Sequence, residues 1–174
     1  YTQQGKYQEM MEYLQEYASV ITEEEKLICY CRNMAVDAVI HFYAGELRKK
    51  GIPFECYMML PQNIGISDTD LCKIYGNLLE NAVDAVKDLL PENKPYVKML
   101  TKVKNRKLLI EISNPYSNEI QRREKVFYST KHEGFGIGTA SVAEVVQRMG
   151  GYVVFNTEEG IFKVNIFLPV KTVQ

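Results

Sequence analysis

Two short stretches of this chain hold chemistry-bearing residue types at telling spacings. The first is Lys73-Ile74-Tyr75-Gly76-Asn77-Leu78-Leu79-Glu80-Asn81-Ala82-Val83-Asp84-Ala85. At roughly 100° per residue, Asn77, Asn81, Asp84 and Asp88 fall on one narrow helical stripe. A merely solvated stripe would favour Glu, Lys, Gln or Arg, whereas an interior Asn gives up ~0.6 kcal/mol of helix propensity relative to Ala. Amide oxygens and a carboxylate gathered in this way suit Mg²⁺, which takes a few protein oxygens and leaves its other positions to water and phosphate. Taken alone, the stripe reads equally well as a helix surface with two incidental Asn.

The second stretch is Tyr128-Ser129-Thr130-Lys131-His132-Glu133-Gly134-Phe135-Gly136-Ile137-Gly138-Thr139, in which three Gly alternate with two apolar residues. A helical pattern follows in Val142, Val145, Val146 and Met149, with Ser141 and Glu144 at capping-box spacing and Gly150-Gly151 as its stop. Glycine lets backbone N–H groups approach an anion, and the start of a helix adds positive potential. The spacing is neither that of the P-loop nor that of the dinucleotide fingerprint. A Gly-rich loop without function is the competing reading.

The first stretch must sit on a long helix. Ser67 or Asp68 caps its start and Pro91 ends it, giving about five to six turns. Leu71, Tyr75, Leu78, Ala82, Val86 and Leu89 face away from the Asn stripe, with Leu79 and Val83 widening the arc, so a sheet or a layer of helices must cover it. Asn33 caps another helix running to about Lys50 with Gly51 as its stop, its apolar face being Val36, Val39, Ile40, Tyr43 and Leu47. Strand alternation appears in Ile52–Leu60, in Val97–Val103, in Leu108–Ile112 across an Asn105-Arg106 turn, and in Tyr152–Asn156 and Phe162–Leu168 around Glu158-Glu159-Gly160. Helices over mainly antiparallel strands predict an α+β fold: a two-layer α/β sandwich with a mixed, mostly antiparallel sheet and its helices on one face. Residues 115–133 lack hydrophobic periodicity, and a loop of that length in a compact domain is usually functional or mobile.

In this order the two stretches resemble the GHKL, or Bergerat-fold, ATPase superfamily, the group of gyrase, MutL and histidine kinases. Asn77-Leu78-Leu79-Glu80-Asn81-Ala82-Val83-Asp84-Ala85 looks like its N box, and Gly134-Phe135-Gly136-Ile137-Gly138 like its second glycine box. Val36-Asp37-Ala38-Val39-Ile40, Ile112-Ser113-Asn114-Pro115-Tyr116 and Tyr128-Ser129-Thr130-Lys131 bring the resemblance closest to sensor histidine kinases of the peptide-quorum-receptor type, over roughly residues 33–170. The resemblance implies that Asn81 ligates Mg²⁺ with Asn77 assisting, and that Gly134, Gly136 and Gly138 admit the phosphates of ATP. It makes residues 115–133 the ATP lid, with Lys131 a phosphate contact, Asn114 facing adenine, and Asp84 on the water or ribose side. Arg122, Arg123 and His132 are read as solvated lid residues.

The residue four before Asn81 separates branches of that superfamily. Hydrolysing members have a Glu there as general base; here it is Asn77, which takes no proton at neutral pH. The chain is therefore expected to hold ATP and pass its γ-phosphoryl group to a His on the dimerisation helix, outside this chain. Most relatives carry Asp-x-Gly-x-Gly where this chain has Asn114-Pro115-Tyr116. A neutral acceptor binds the adenine amino group less strongly than a carboxylate, so the expected affinity is high micromolar to millimolar, on the order of −4 to −6 kcal/mol. Two other readings share the motifs: a protein serine kinase of the anti-sigma-factor kind, and a degenerate nucleotide domain serving only dimerisation or docking.

Composition is that of a soluble globular chain, 46% hydrophobic and 25% charged in 174 residues. A formal net charge of −1 points to neither nucleic acid nor an anionic membrane surface. No apolar run approaches the ~18 residues of a membrane span, so a membrane would be reached only through a region upstream of Tyr1, which itself suggests a fragment. The expected location is cytoplasmic. Cys29, Cys31, Cys56 and Cys72 lack metal-site spacing and are read as buried, reduced thiols.

Residues 1–32 are read as the end of a helical dimerisation segment and residues 33–174 as the ATP-binding domain. Tyr7, Met10, Met11, Leu14, Tyr17 and Ile21 come close to a heptad stripe. They could pack on their own domain; the resemblance implies a homodimer through upstream helices, and a response regulator as partner. His41 is read as structural, because Phe42 rather than an acid follows it, so the chain is not expected to phosphorylate itself.

Overall fold

A computed structural model describes residues 28–116 and 137–171. The Asn33 side chain accepts from the Val36 N–H at 2.9 Å and opens α1, Met34–Lys49. Strand β1, Phe54–Met59, follows. Ser67 then caps α2, Asp68–Val86, through the Asp70 N–H. A 3₁₀ turn at Pro91–Asn93 leads to β2, Val97–Lys104, and β3, Lys107–Pro115. Helix α3, Ile137–Arg148, precedes β4, Tyr152–Glu158, and β5, Ile161–Pro169.

The five strands form one sheet in the order β1-β2-β3-β5-β4. The β1–β2 pair is parallel and the other pairs are antiparallel, so the sheet is mixed and mostly antiparallel as expected. Two-residue turns close both hairpins: Asn105 and Arg106 have φ of 51° and 58°, Glu159 and Gly160 52° and 77°, the pair of positive φ values that matches strand twist.

Helix α1 packs on β1, α2 on β2 and β3, and α3 on β4 and β5. The core lies between the layers. Leu108, Ile110 and Ile112 of β3 and Val164, Ile166 and Leu168 of β5 are register partners and all buried. From above they meet Leu71, Ile74, Tyr75, Leu78, Leu79 and Val86 of α2 and Val142, Val145 and Val146 of α3. Tyr75 is wholly buried, and its hydroxyl meets that of Thr101, also wholly buried, at 3.0 Å. Burial holds the Tyr75 phenol protonated far above its usual range. This bond ties the middle of α2 to the middle of the sheet.

Three local expectations are corrected. Helix α2 ends at Val86, short of Pro91, because Leu89 N–H turns back to the Val86 carbonyl at 3.1 Å and the residue before a proline avoids helical geometry. Ser141 lies inside α3 and does not cap it. Cys29 is exposed; Cys31 is buried and Cys56 and Cys72 are half-buried, burial pushing the last three thiols up to about 12, 12 and 11. His41 is engaged in structure as expected: Nε2 lies 2.7 Å from the Ile28 carbonyl and 3.5 Å from Asp37, and the ring packs edge-on against Tyr30. The stripe at 6–21 lies outside the described residues.

Candidate functional site

The relation between α2 and α3 decides what the Asn stripe can meet. Arg148, the last residue of α3, reaches Asp70 in the first turn of α2 at 2.6 Å. The two helices pack against each other, and from that anchor only an antiparallel course keeps α3 beside α2. Asp70 and Asn81 are separated by the same number of residues as Arg148 and Ile137, about three whole turns in each helix. They therefore repeat the anchor's facing at the other end: the first turn of α3, Ile137 and Gly138, stands level with Asn81 and on its side of α2.

The sheet gives the same alignment independently. A side chain at Gly151, just past α3, would collide with the Phe167 carbonyl and come within 2.7 Å of Leu168. Phe167 and Leu168 pair with Leu109 and Leu108. The C-terminal end of α3 therefore lies over the beginning of β3, and its N-terminal end over the end of β3, where Asn114 stands. Asn114 shares the helix-facing side of the strand with Ile110 and Ile112 and is 1% exposed. Asn81, Asn114 and the start of α3 thus converge on one end of the sandwich.

The amides there differ in their ties. Asn77 Nδ2 donates to the Lys73 carbonyl at 2.6 Å, which turns its Oδ1 outward as an acceptor. Asn81 is half-buried and has no side-chain hydrogen bond among the described residues. Asn114 Nδ2 donates to the Pro115 carbonyl at 2.9 Å, leaving Oδ1 to accept. This end of the site is therefore a set of neutral oxygen acceptors, beside the positive potential that the start of a helix provides. None of them is a base at neutral pH.

Asp84 faces differently. Its carboxylate holds Lys87 at 2.7 Å and is 55% exposed. Burial, and then the charges of Glu80, Asp84 and Glu46, push the Tyr43 phenol of α1 upward. Asp84 thus lies close enough to α1 for its charge to act on Tyr43. Gly138 lies in the first turn of α3. Lys131, Gly134 and Gly136 lie outside the described residues, as do Arg122, Arg123 and His132. Among the described residues no group of three or more His, Cys, Asp or Glu could hold a metal ion.

Two features escape sequence reading. Phe162 pairs with Asn114 across β3 and β5 and stacks on Phe155 at 6.2 Å, giving Asn114 a half-buried aromatic neighbour. Nothing in the periodicity says that β5 inserts between β3 and β4. The Asp70–Arg148 anchor joins residues far apart in sequence; only their places at opposite helix ends hinted at it.

A search of curated proteins found no match. Among solved structures, the nucleotide-free catalytic domain of histidine kinase ThkA is 19% identical, with 79% of this chain and 92% of that one covered at a TM-score of 0.59. Histidine kinase AdeS of Acinetobacter baumannii is 13% identical, covering 79% and 64% at 0.58. Full-length ShkA in complex with AMPPNP is 20% identical, covering 80% of this chain and 30% of its own at 0.57. At these identities the likeness is one of fold. A family model described as GHKL domain matches residues 66–169, more than half of the chain. The chain belongs to the GHKL domain family.

Proposed function

We propose that this chain is the ATP-binding catalytic domain of a sensor histidine kinase in two-component signalling, of the peptide-quorum-receptor type. The observation that carries the reading is the convergence of Asn81, Asn114 and the first turn of α3 on one end of the sandwich. The fold it shares with the kinase catalytic domains above supports it.

In this reading Asn81 Oδ1 holds Mg²⁺ and the outward Oδ1 of Asn77 assists, either directly or through water. The donor set fits a hard, oxygen-seeking cation that keeps several waters. When bound, that ion neutralises charge on the phosphate oxygens. Asn114 accepts from the adenine amino group, since Nδ2 is already committed to Pro115. Gly134, Gly136 and Gly138 leave room for the phosphates beside the start of α3, Lys131 meets them from the lid, and Asp84 serves the ribose or water side. With Asn77 in place of a base, water is not activated. The γ-phosphorus exchanges its bond to the ADP oxygen for one to an imidazole nitrogen of an acceptor His outside this chain, and the imidazole releases its proton. The implied partners are a response regulator and a second copy joined through upstream helices, in the cytoplasm. Among the described residues no helix is long and apolar enough to cross a membrane.

Calorimetric titration with Mg-ATP tests the reading. Weak binding, on the order of −4 to −6 kcal/mol, is expected. Asn81→Asp should abolish the heat without lowering the melting temperature. Unchanged binding in that variant would favour a degenerate nucleotide module, and nanomolar binding would overturn the part assigned to Asn114.

A further inference from the structure

The face of the sheet turned away from the helices carries a patch that the nucleotide reading does not use. Strand alternation puts Met59, Lys102, Leu109, Phe167 and Tyr152 on one row across that face, each the register partner of the next. Met59 and Tyr152 are 57% and 56% exposed, and the Tyr152 ring lies against Phe167 at 4.7 Å. No carboxylate stands in the row. Beyond it, Lys104 and Lys107 face each other directly across the hairpin, and Arg106 occupies its tip.

This arrangement is costly without an anion. Like charges directly opposite on paired strands repel, and Arg106 holds a left-handed φ of 58° that glycine would adopt with less strain. Elsewhere on the same face Lys98 and Lys163 are matched by Glu55 and Glu111 at 3.1 Å each. Lys102, Lys104, Arg106 and Lys107 have no ion-pair partner among the described residues. The net charge of −1 hides this separation: acidic side chains gather on α2, whereas residues 102–107 around the hairpin tip carry only basic charge.

We propose that this corner of the sheet, Lys102, Lys104, Arg106 and Lys107 with Met59 and Tyr152, docks on an anionic lipid surface. The patch combines the two features that peripheral attachment needs, a cluster of cations and exposed apolar side chains beside it. The apolar row offers few hydrogen-bonding groups for a specific protein partner, and its rings pack on one another rather than standing free for nucleobases. The patch lies on the outer face and at the Leu108 end of β3, away from Asn114 and Asn81, so an attached domain keeps its candidate nucleotide end turned to solvent.

Co-sedimentation of the full chain with vesicles tests this. Binding is expected to phosphatidylserine-containing vesicles at low salt, to weaken as salt rises, and to be absent with pure phosphatidylcholine. Lys104→Gln with Lys107→Gln, both at exposed positions, should not lower the melting temperature and should reduce the partition coefficient roughly fivefold per charge, about twenty-five-fold together. Failure to bind anionic vesicles at low salt, or binding that the double substitution leaves unchanged, overturns the proposal. Equal or tighter binding of poly-glutamate or single-stranded DNA, lost with the same substitutions, reassigns the patch to another polyanion and overturns the lipid assignment.

Discussion

Where α3 ends, Arg148 grips Asp70 at 2.6 Å, Gly151 leaves no room for a side chain against Phe167 and Leu168, and Val146 is wholly buried beside them. Where α3 begins, it stands level with Asn81, whose amide is half-buried and makes no side-chain hydrogen bond among the described residues. One end of the helix pair is closed by packing and charge; the other keeps neutral acceptors available. The contrast shows how an open site can hold its geometry. Its alignment is set three turns away, where nothing has to move or bind, and the stiffness of two helices carries it across.

The largest effect should come from filling the closed end. Gly151→Ala puts a methyl group into the Phe167 carbonyl and within 2.7 Å of Leu168, and backbone cannot yield as a flexible side chain does. Overpacking of this kind costs about 1–3 kcal/mol, at the upper part of that range here. Urea denaturation should show a lower midpoint with an unchanged slope. An unaltered midpoint would mean that α3 is not seated where this alignment needs it.

The next effect lies midway between the two ends. Tyr75→Phe leaves the wholly buried Thr101 hydroxyl without its partner, a loss of about 1–2 kcal/mol. Adding Thr101→Val to it should recover most of that loss, since replacing both partners by apolar groups of similar shape is nearly neutral. If the double variant is no better than the single one, the hydroxyl pair is not what ties α2 to the sheet.

Sequence reading went furthest where local rules act alone. Asn33 and Ser67 cap their helices, the Asn105-Arg106 and Glu159-Gly160 turns close their hairpins, and the wide apolar arc of α2 lies on the sheet. It went wrong at helix ends, where Pro91 was too distant to mark the stop of α2 and Ser141 mimicked a cap inside α3. The candidate site was legible as a set of residue types, Asn77, Asn81 and Asn114, but not as an arrangement. Which side of α2 faces α3 depends on packing between elements far apart in sequence, which the Asp70–Arg148 pair marks, and Asn114 meets Phe162 only because β5 inserts beside β3. Periodicity assigns a residue to a face; it does not name the neighbour on that face.

The smallest effect separates the two devices at the closed end. Arg148 is 60% exposed and Asp70 22%, and pairs so open to water contribute roughly 0.2–1 kcal/mol. Arg148→Gln and Asp70→Asn should therefore each lower stability by less than about 1 kcal/mol, and a double-mutant cycle should return a coupling of the same size. Burial of Val142, Val145 and Val146 supplies far more, about 1.5–3 kcal/mol for each side chain. On that balance packing fixes the alignment of α3, and the ion pair only selects among nearby registers. Mg-ATP affinity in Arg148→Gln should then stay within about twofold of the parent chain. A loss of tenfold or more, with stability still within 1 kcal/mol, would show that charge rather than packing holds Asn81 level with the start of α3.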